Sequence, residues 1–228
     1  MAVKHAQDTV EKIITRYFVS VSRKYFEYKG KVYEPKPLIM TKSLVRDYTC
    51  PEGCGACCKA YSLDWLPSEK RPDGYQAEVR DIELNGKKYP MYSDTQKERV
   101  GDYCRNLNLD NGRCMIHDAH ALGCDFELIR FIVGAEQNYL RTSLFGRGWN
   151  MMRVDGSKGS KCDIVPATEK TLVNILRKLD RLKLWTDYFE LDTHLPDIID
   201  WVKRGNYSDR LVLLPVEGPH ADRRNKFF

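Results

Sequence analysis

Nine residues constrain this chain more than any other stretch: Cys50-Pro-Glu-Gly-Cys54-Gly-Ala-Cys57-Cys58. The spacing is C-x3-C-x2-C-C. Short gaps let one loop deliver several thiolates to a common centre at low loop-closure cost. Gly53 and Gly55 suit such a loop, because backbone wrapped around a metal often needs positive φ. Clustered thiolates repel one another unless a cation joins them, and a metal also lowers the thiol pKa enough for deprotonation.

Three more cysteines follow at equal gaps, Cys104, Cys114 and Cys124, and Cys162 is the eighth. Asn111-Gly112 precedes Cys114 and predicts a turn over 108–112 that folds Cys104 and Cys114 back toward each other. Cys124 is expected at the start of a helix, where a thiolate is stabilised. Adjacent side chains diverge in either a strand or a helix. Cys57 and Cys58 therefore fit a larger cluster, or two separate centres, better than one small tetrahedral ion. Zinc and iron–sulfur both accept four thiolates. The usual zinc module has two separated C-x2-C knuckles, which this chain lacks, so the spacing favours [4Fe–4S] and leaves zinc as the alternative. Radical S-adenosylmethionine enzymes share the C-x3-C-x2-C spacing. They usually carry an aromatic residue where this chain has Ala56, and they need a run of βα units that is not read here.

The rest of the composition fits a cytoplasmic, folded chain. With 228 residues, 42% hydrophobic and 30% charged, a sizeable core is expected. No stretch approaches the roughly 18 apolar residues of a membrane span, and the first residues lack the apolar run of a secretory signal. Cysteines in a reducing compartment point to metal or redox chemistry rather than disulfides. The net charge is +5, and the excess lies in residues 1–49. Those residues include Lys12, Arg16, Arg23 and Lys24 interleaved with Tyr17, Phe18, Tyr25 and Phe26, a face open to a protein partner and, with weaker support, to nucleic acid.

Apolar periodicity predicts a helix over 8–27, through Val10, Ile13, Ile14, Tyr17, Phe18 and Val21. Residues 31–33 and 38–45 read as extended. Alternation on both sides of Asn85-Gly86 predicts a hairpin over 78–92. Further helices are expected over 125–144, 168–189 and 195–203, with an irregular Gly-rich segment over 146–161 and a strand over 211–216. Trp185, Tyr188, Phe189 and Trp201 are expected in the core. The mixture is α+β: an irregular, metal-organised central region with β-hairpins, flanked by N- and C-terminal helices. Three parts are expected, namely 1–49 (helix and basic extended segment), 50–162 (cysteine-cluster domain) and 163–228 (helical segment on the same core). His117 and His120, three apart and just after Cys114, are candidates for ligation or proton relay, set against an ordinary surface position. No Ser-His-Asp triad or carboxylate pair stands out. Gly156-Ser-Lys-Gly-Ser-Lys161 lacks the full phosphate-loop pattern.

The cysteine row resembles the YkgJ-type cysteine-cluster family, CxxCxxCC. The matching residues are Cys50, Cys54-Gly55-Ala56-Cys57-Cys58, Tyr103-Cys104-x-x-Leu107, Cys114-x-Ile116 and Cys124-x-Phe126. The chain departs from the family at His117, His120-Ala121 and Asp125, and in the long stretch between Cys58 and Cys104. The resemblance implies a cytoplasmic zinc- or iron-chelating domain. Flagellin lysine methylases look like relatives with a similar cluster, so a protein-modifying redox or group-transfer enzyme stands beside a structural or interaction module, and a zinc-stabilised binding module beside both. The expected ligands are Cys50, Cys54, Cys57, Cys58, Cys104, Cys114, Cys124 and Cys162.

Overall fold

The computed structural model describes residues 14, 18–35, 38–40, 46–49, 58, 63–94, 103–126, 132–133, 163–166, 169–204, 212–219 and 221. The hairpin predicted about Asn85-Gly86 is its central element. Strands β6 (Glu78–Leu84) and β7 (Lys87–Asp94) pair antiparallel from Glu78↔Ser93 to Leu84↔Lys87. Asn85 (φ 51°) and Gly86 (φ 73°) both take positive φ, as a two-residue turn of this twist requires. Alternation places Ile82, Leu84, Tyr89 and Met91 inward.

A second hairpin, β1 (Phe26–Tyr28) and β2 (Lys31–Tyr33), joins β6 through Tyr28↔Leu84, and β5 (Leu63–Trp65) pairs with the far side of β7. The result is an antiparallel five-stranded sheet in the order β2-β1-β6-β7-β5. Two smaller ladders complete the strands. In one, β3 (Leu38–Met40) lies between β8 (Ile132–Val133) and β10 (Val212–Leu214). In the other, β4 (Arg46–Thr49) pairs with β9 (Asp163–Pro166), with Thr49 opposite Asp163.

Besides a single helical turn at Val19–Val21, three helices accompany the strands among the described residues: α1 (Leu122–Phe126), α2 (Glu169–Tyr188) and α3 (Leu195–Lys203). The inward stripe of α2, Ile175, Leu179, Leu182 and Trp185, follows the three- and four-residue spacing read from the sequence. Helix α2 ends at Tyr188 and is closed by Glu190 (φ 54°), with Leu191 N–H donating to Thr186 O at 2.9 Å, a Schellman-type stop. Ile198, Ile199 and Val202 of α3 pack into the same core as Trp185, Phe189, Phe18 and Leu84. Tyr188 and Trp201 are only partly buried at its edge. The α+β class is as expected.

Two helix expectations are corrected. The N-terminal periodicity does not run to residue 27. The helical turn Val19–Val21 stops at Ser22, which is extended (ψ 135°). Segment 192–194 captures this part of the chain: His194 N–H donates to Val21 O at 2.7 Å, Arg23 N–H donates to Asp192 O at 2.8 Å, and Ser22 bridges Thr193. Phe26–Tyr28 then becomes a strand. The helix expected over 125–144 is contradicted at Ile132–Val133, which pairs with Ile39 and Leu38. Long-range pairing of β-branched residues outweighs local periodicity there. Helix α1 also starts three residues before Asp125, so Cys124 lies inside it. The Gly-rich segment 146–161 falls outside the described residues, as does most of the predicted first helix.

Candidate metal centre

Four of the eight cysteines, Cys58, Cys104, Cys114 and Cys124, are among the described residues, and none of these four is in a disulfide. Cys50, Cys54, Cys57 and Cys162 lie outside them. The described four sit on short local devices. Cys104 N–H donates to Cys58 O at 2.7 Å, which ties the end of the first cysteine loop to the second group. The turn predicted over 108–112 is present. Asn108 N–H donates to Arg113 O, Gly112 N–H donates to Asn108 O, and Gly112 takes φ 67°. Asn108 Oδ1 accepts from Asp110 N–H, and Asn111 Oδ1 accepts from Arg113 N–H. These side-chain bonds are the physical reason for asparagine in such turns. The return strand brings Cys114 opposite Leu107, whose N–H donates to Cys104 O. Cys104 and Cys114 thus belong to one folded-back segment, as the sequence predicted. Cys124 is exposed, and its N–H donates to Ala121 O.

Cys104 is held by amide donors. Its Sγ accepts the Asn106 backbone N–H at 3.5 Å and the Asn106 Nδ2 amide at 3.6 Å. Two amide donors on one sulfur fix its orientation, as the supporting bonds of a metal ligand do. Asn106 is buried, and its Nδ2 also donates to Tyr75 Oη at 2.9 Å. The amide's two hydrogens account for both bonds. Tyr75 in turn hydrogen-bonds Asp94, which accepts from Arg105 Nη2 at 2.7 Å. Burial, with Asp94 adding to it, pushes the Tyr75 phenol up to about 12, so it stays protonated and holds its bonds. A continuous polar chain therefore runs from Arg105 through Asp94, Tyr75 and Asn106 to a cysteine sulfur. Spacing alone gave no sign of Asn106 or Tyr75. The only hint was an amide residue two positions after a candidate ligand.

This hairpin rests on a small apolar cluster of Leu63, Trp65 and Ala121, with Cys104, Tyr75, Tyr92 and Ile116 packed against it. Trp65 Nε1 donates to Ala119 O at 3.0 Å. Asp64, between two members of that strand, is fully buried. Its Oδ1 accepts from Ser93 Oγ at 2.6 Å, and burial raises its pKa to about 6. His117 and His120 flank a 3₁₀ turn (His117–Ala119), with ring centroids 5.2 Å apart. Among the described residues, no three His, Cys, Asp or Glu side chains are grouped so as to hold a metal.

The basic, aromatic N-terminal segment is partly used internally. Phe18 and Phe26 are buried, and Arg23 and Lys24 pair with Asp192 and Glu217. Tyr25 stays exposed, and Lys12, Arg16 and Tyr17 lie outside the described residues. Among the described residues, no helix is long and apolar enough to cross a membrane.

Fold and site together define an α+β chain with a cysteine-bearing hairpin. Residues 49–141, about two-fifths of the chain, match the family model CxxCxxCC, described as "Putative zinc- or iron-chelating domain". The resemblance drawn from the cysteine row is borne out over that segment. The matched segment takes in seven of the eight cysteines and leaves out Cys162. No curated protein and no solved structure matches the chain.

Proposed function

We propose that this chain is a metalloprotein whose cysteines hold an iron–sulfur centre, [4Fe–4S] in the simplest case, with the fold organised around it as a structural or interaction module in the cytoplasm. The observation that carries the metal reading is the pair of amide donors on Cys104 Sγ, backed by a buried polar chain. An unligated cysteine has little use for such support, whereas sulfur bound to a metal gains both orientation and charge stabilisation from it. Adjacent Cys57 and Cys58 favour a cluster over a single zinc ion. Strand register supports counting Cys162 with the rest: Thr49 pairs with Asp163, and these two are the sequence neighbours of Cys50 and Cys162.

The test is anaerobic purification with a visible spectrum and metal analysis. A brown protein absorbing near ~400 nm with about four irons per chain is the expected result. Colourless protein with stoichiometric zinc overturns the cluster and keeps chelation. Metal-free protein overturns both. Cys57→Ser and Cys58→Ser are each expected to lower metal content, since site formation and folding are coupled.

A second reading, a redox or group-transfer enzyme, is favoured by one observation: a cleft opens beside the cysteine-bearing segment.

A further inference from the structure

Helix α2 turns one stripe of side chains away from the core. Val173, Arg177, Asp180 and Leu184 are all exposed, and they recur at intervals of four, three and four. Those intervals keep residues in line along one helix face, as in a coiled-coil seam. Val173 is 66% exposed and Leu184 45%. Both side chains gain from leaving water, and valine is a weak helix former with no packing here to offset that. The stripe spans about 16 Å of helix and ends at Asp187, which pairs with Lys183.

The order of residues along this stripe is self-complementary. A twofold axis crossing the helix between Lys178 and Leu179 sets two copies antiparallel. It places Val173 against Leu184 of the second copy and Arg177 against Asp180 of the second copy, and each contact occurs twice. Apolar side chains meet at both ends, and opposite charges meet in the middle. Other arrangements lose the match. A shift of about one turn sets Val173 against Asp180, or Arg177 against Leu184, and parallel pairing in register faces like charge with like. Among the described residues, the Asp180 carboxylate has no ion-pair partner. Arg177 is already engaged within its own chain, and its five N–H donors let it take a second carboxylate as well.

We propose that the exposed face of α2 is a self-association surface, on which a second copy of this chain docks antiparallel in the register Val173–Leu184 and Arg177–Asp180. The contact goes beyond the metal reading and does not depend on it. It rests on one helix face with two apolar pairs, so the dimer is weak, with a dissociation constant on the order of 100 µM.

The test is sedimentation equilibrium of the full chain, as purified with its metal, from about a hundredfold below that constant to about tenfold above it. A monomer–dimer equilibrium is expected. Asp180→Arg faces two arginines at each central contact, and Arg177→Asp faces two aspartates there. Each should weaken self-association at least about tenfold, since like charges are brought together. An equimolar mixture of the two variants restores opposite charges at both central contacts, and it should dimerise about as tightly as the unsubstituted chain. Leu184→Ser should weaken the dimer about tenfold through its two lost apolar contacts. Val32→Ser, at an equally exposed valine on the sheet, should leave it unchanged. Circular dichroism confirms that each variant is folded, and should Arg177→Asp not fold, Asp180→Arg and Leu184→Ser decide alone. A chain that stays monomeric throughout overturns the proposal, including the case in which the same face holds a different protein. So does a dimer unweakened by Asp180→Arg or Leu184→Ser, and so do two folded charge variants whose mixture remains monomeric. None of these outcomes depends on which metal the cysteines hold.

Discussion

Replacing Asn106 by alanine separates the support of Cys104 from its existence. The substitution removes the Nδ2 donor on Sγ (3.6 Å) and the donor on Tyr75 Oη (2.9 Å), and it leaves the backbone N–H on the sulfur at 3.5 Å. A well-placed hydrogen bond to a charged group contributes about 1.5–3 kcal/mol, and the length of this one argues for about 1 kcal/mol. Metal affinity should therefore fall about fivefold, less than the roughly tenfold or more that loss of a well-placed supporting hydrogen bond costs. Folding should lose about 1–2 kcal/mol in addition, from the small cavity and the thinned polar chain. Asn106→Asp should weaken the metal more than alanine does, because a carboxylate cannot donate and repels a thiolate. Tyr75→Phe should weaken it less, since the amide keeps its bond to sulfur. The assay is competition for the metal against a chromophoric chelator, with circular dichroism confirming that each variant is folded. A folded Asn106→Ala protein that holds metal as tightly as the unsubstituted chain would refute the assignment of Cys104 as a supported ligand.

Other expectations concern the frame around the site. Glu69→Ala strands three part-buried donors from Arg181, Trp185 and Leu66, and should cost about 2–3 kcal/mol in denaturant unfolding; a loss below ~1 kcal/mol would mean that water replaces the carboxylate. Asp64 has a folded pKa near 6, above its ordinary 3.8, so the folded state binds the proton more tightly. Its contribution should be fully present below about pH 4 and should fall by about 3 kcal/mol as pH rises through 6. Asp64→Asn should flatten that part of the stability–pH curve, and an unchanged slope would exclude Asp64 as its source. His194 runs the opposite way. Burial first, and Arg23 second, hold it down to about 4, so its contribution is present above about pH 6.5 and is lost as pH falls toward 4. His194→Gln should remove that acid-side loss in urea titrations taken between those pH values.

Much of the frame was legible from local chemistry. Asn85-Gly86 between alternating strands fixes a hairpin through backbone conformation alone, and the stripe from Leu172 to Trp185 fixes a helix through one buried face. The turn between Cys104 and Cys114 was readable for the same reason: Asn108, Asn111 and Gly112 carry their own turn bonds. What misled was distance along the chain. Phe26–Tyr28 fits a helical period as well as a strand, and only residues 192–194, far downstream, decide in favour of the strand. Ile132–Val133 is settled by Leu38 and Ile39 in the same way. At the centre, the cysteines announced themselves, whereas Asn106 and Tyr75 did not. Their importance comes from a third-dimensional meeting of β7, a loop and a turn that no spacing rule encodes.

The β4–β9 ladder sets a timetable for biosynthesis. Strand β4 immediately precedes Cys50, yet its partner ends at Pro166. On the ribosome, the start of the cysteine row must emerge and wait, its edge unsatisfied, until most of the polypeptide has been made. Any prosthetic group that needs both flanks of that ladder can be installed only at a late stage of translation or after release.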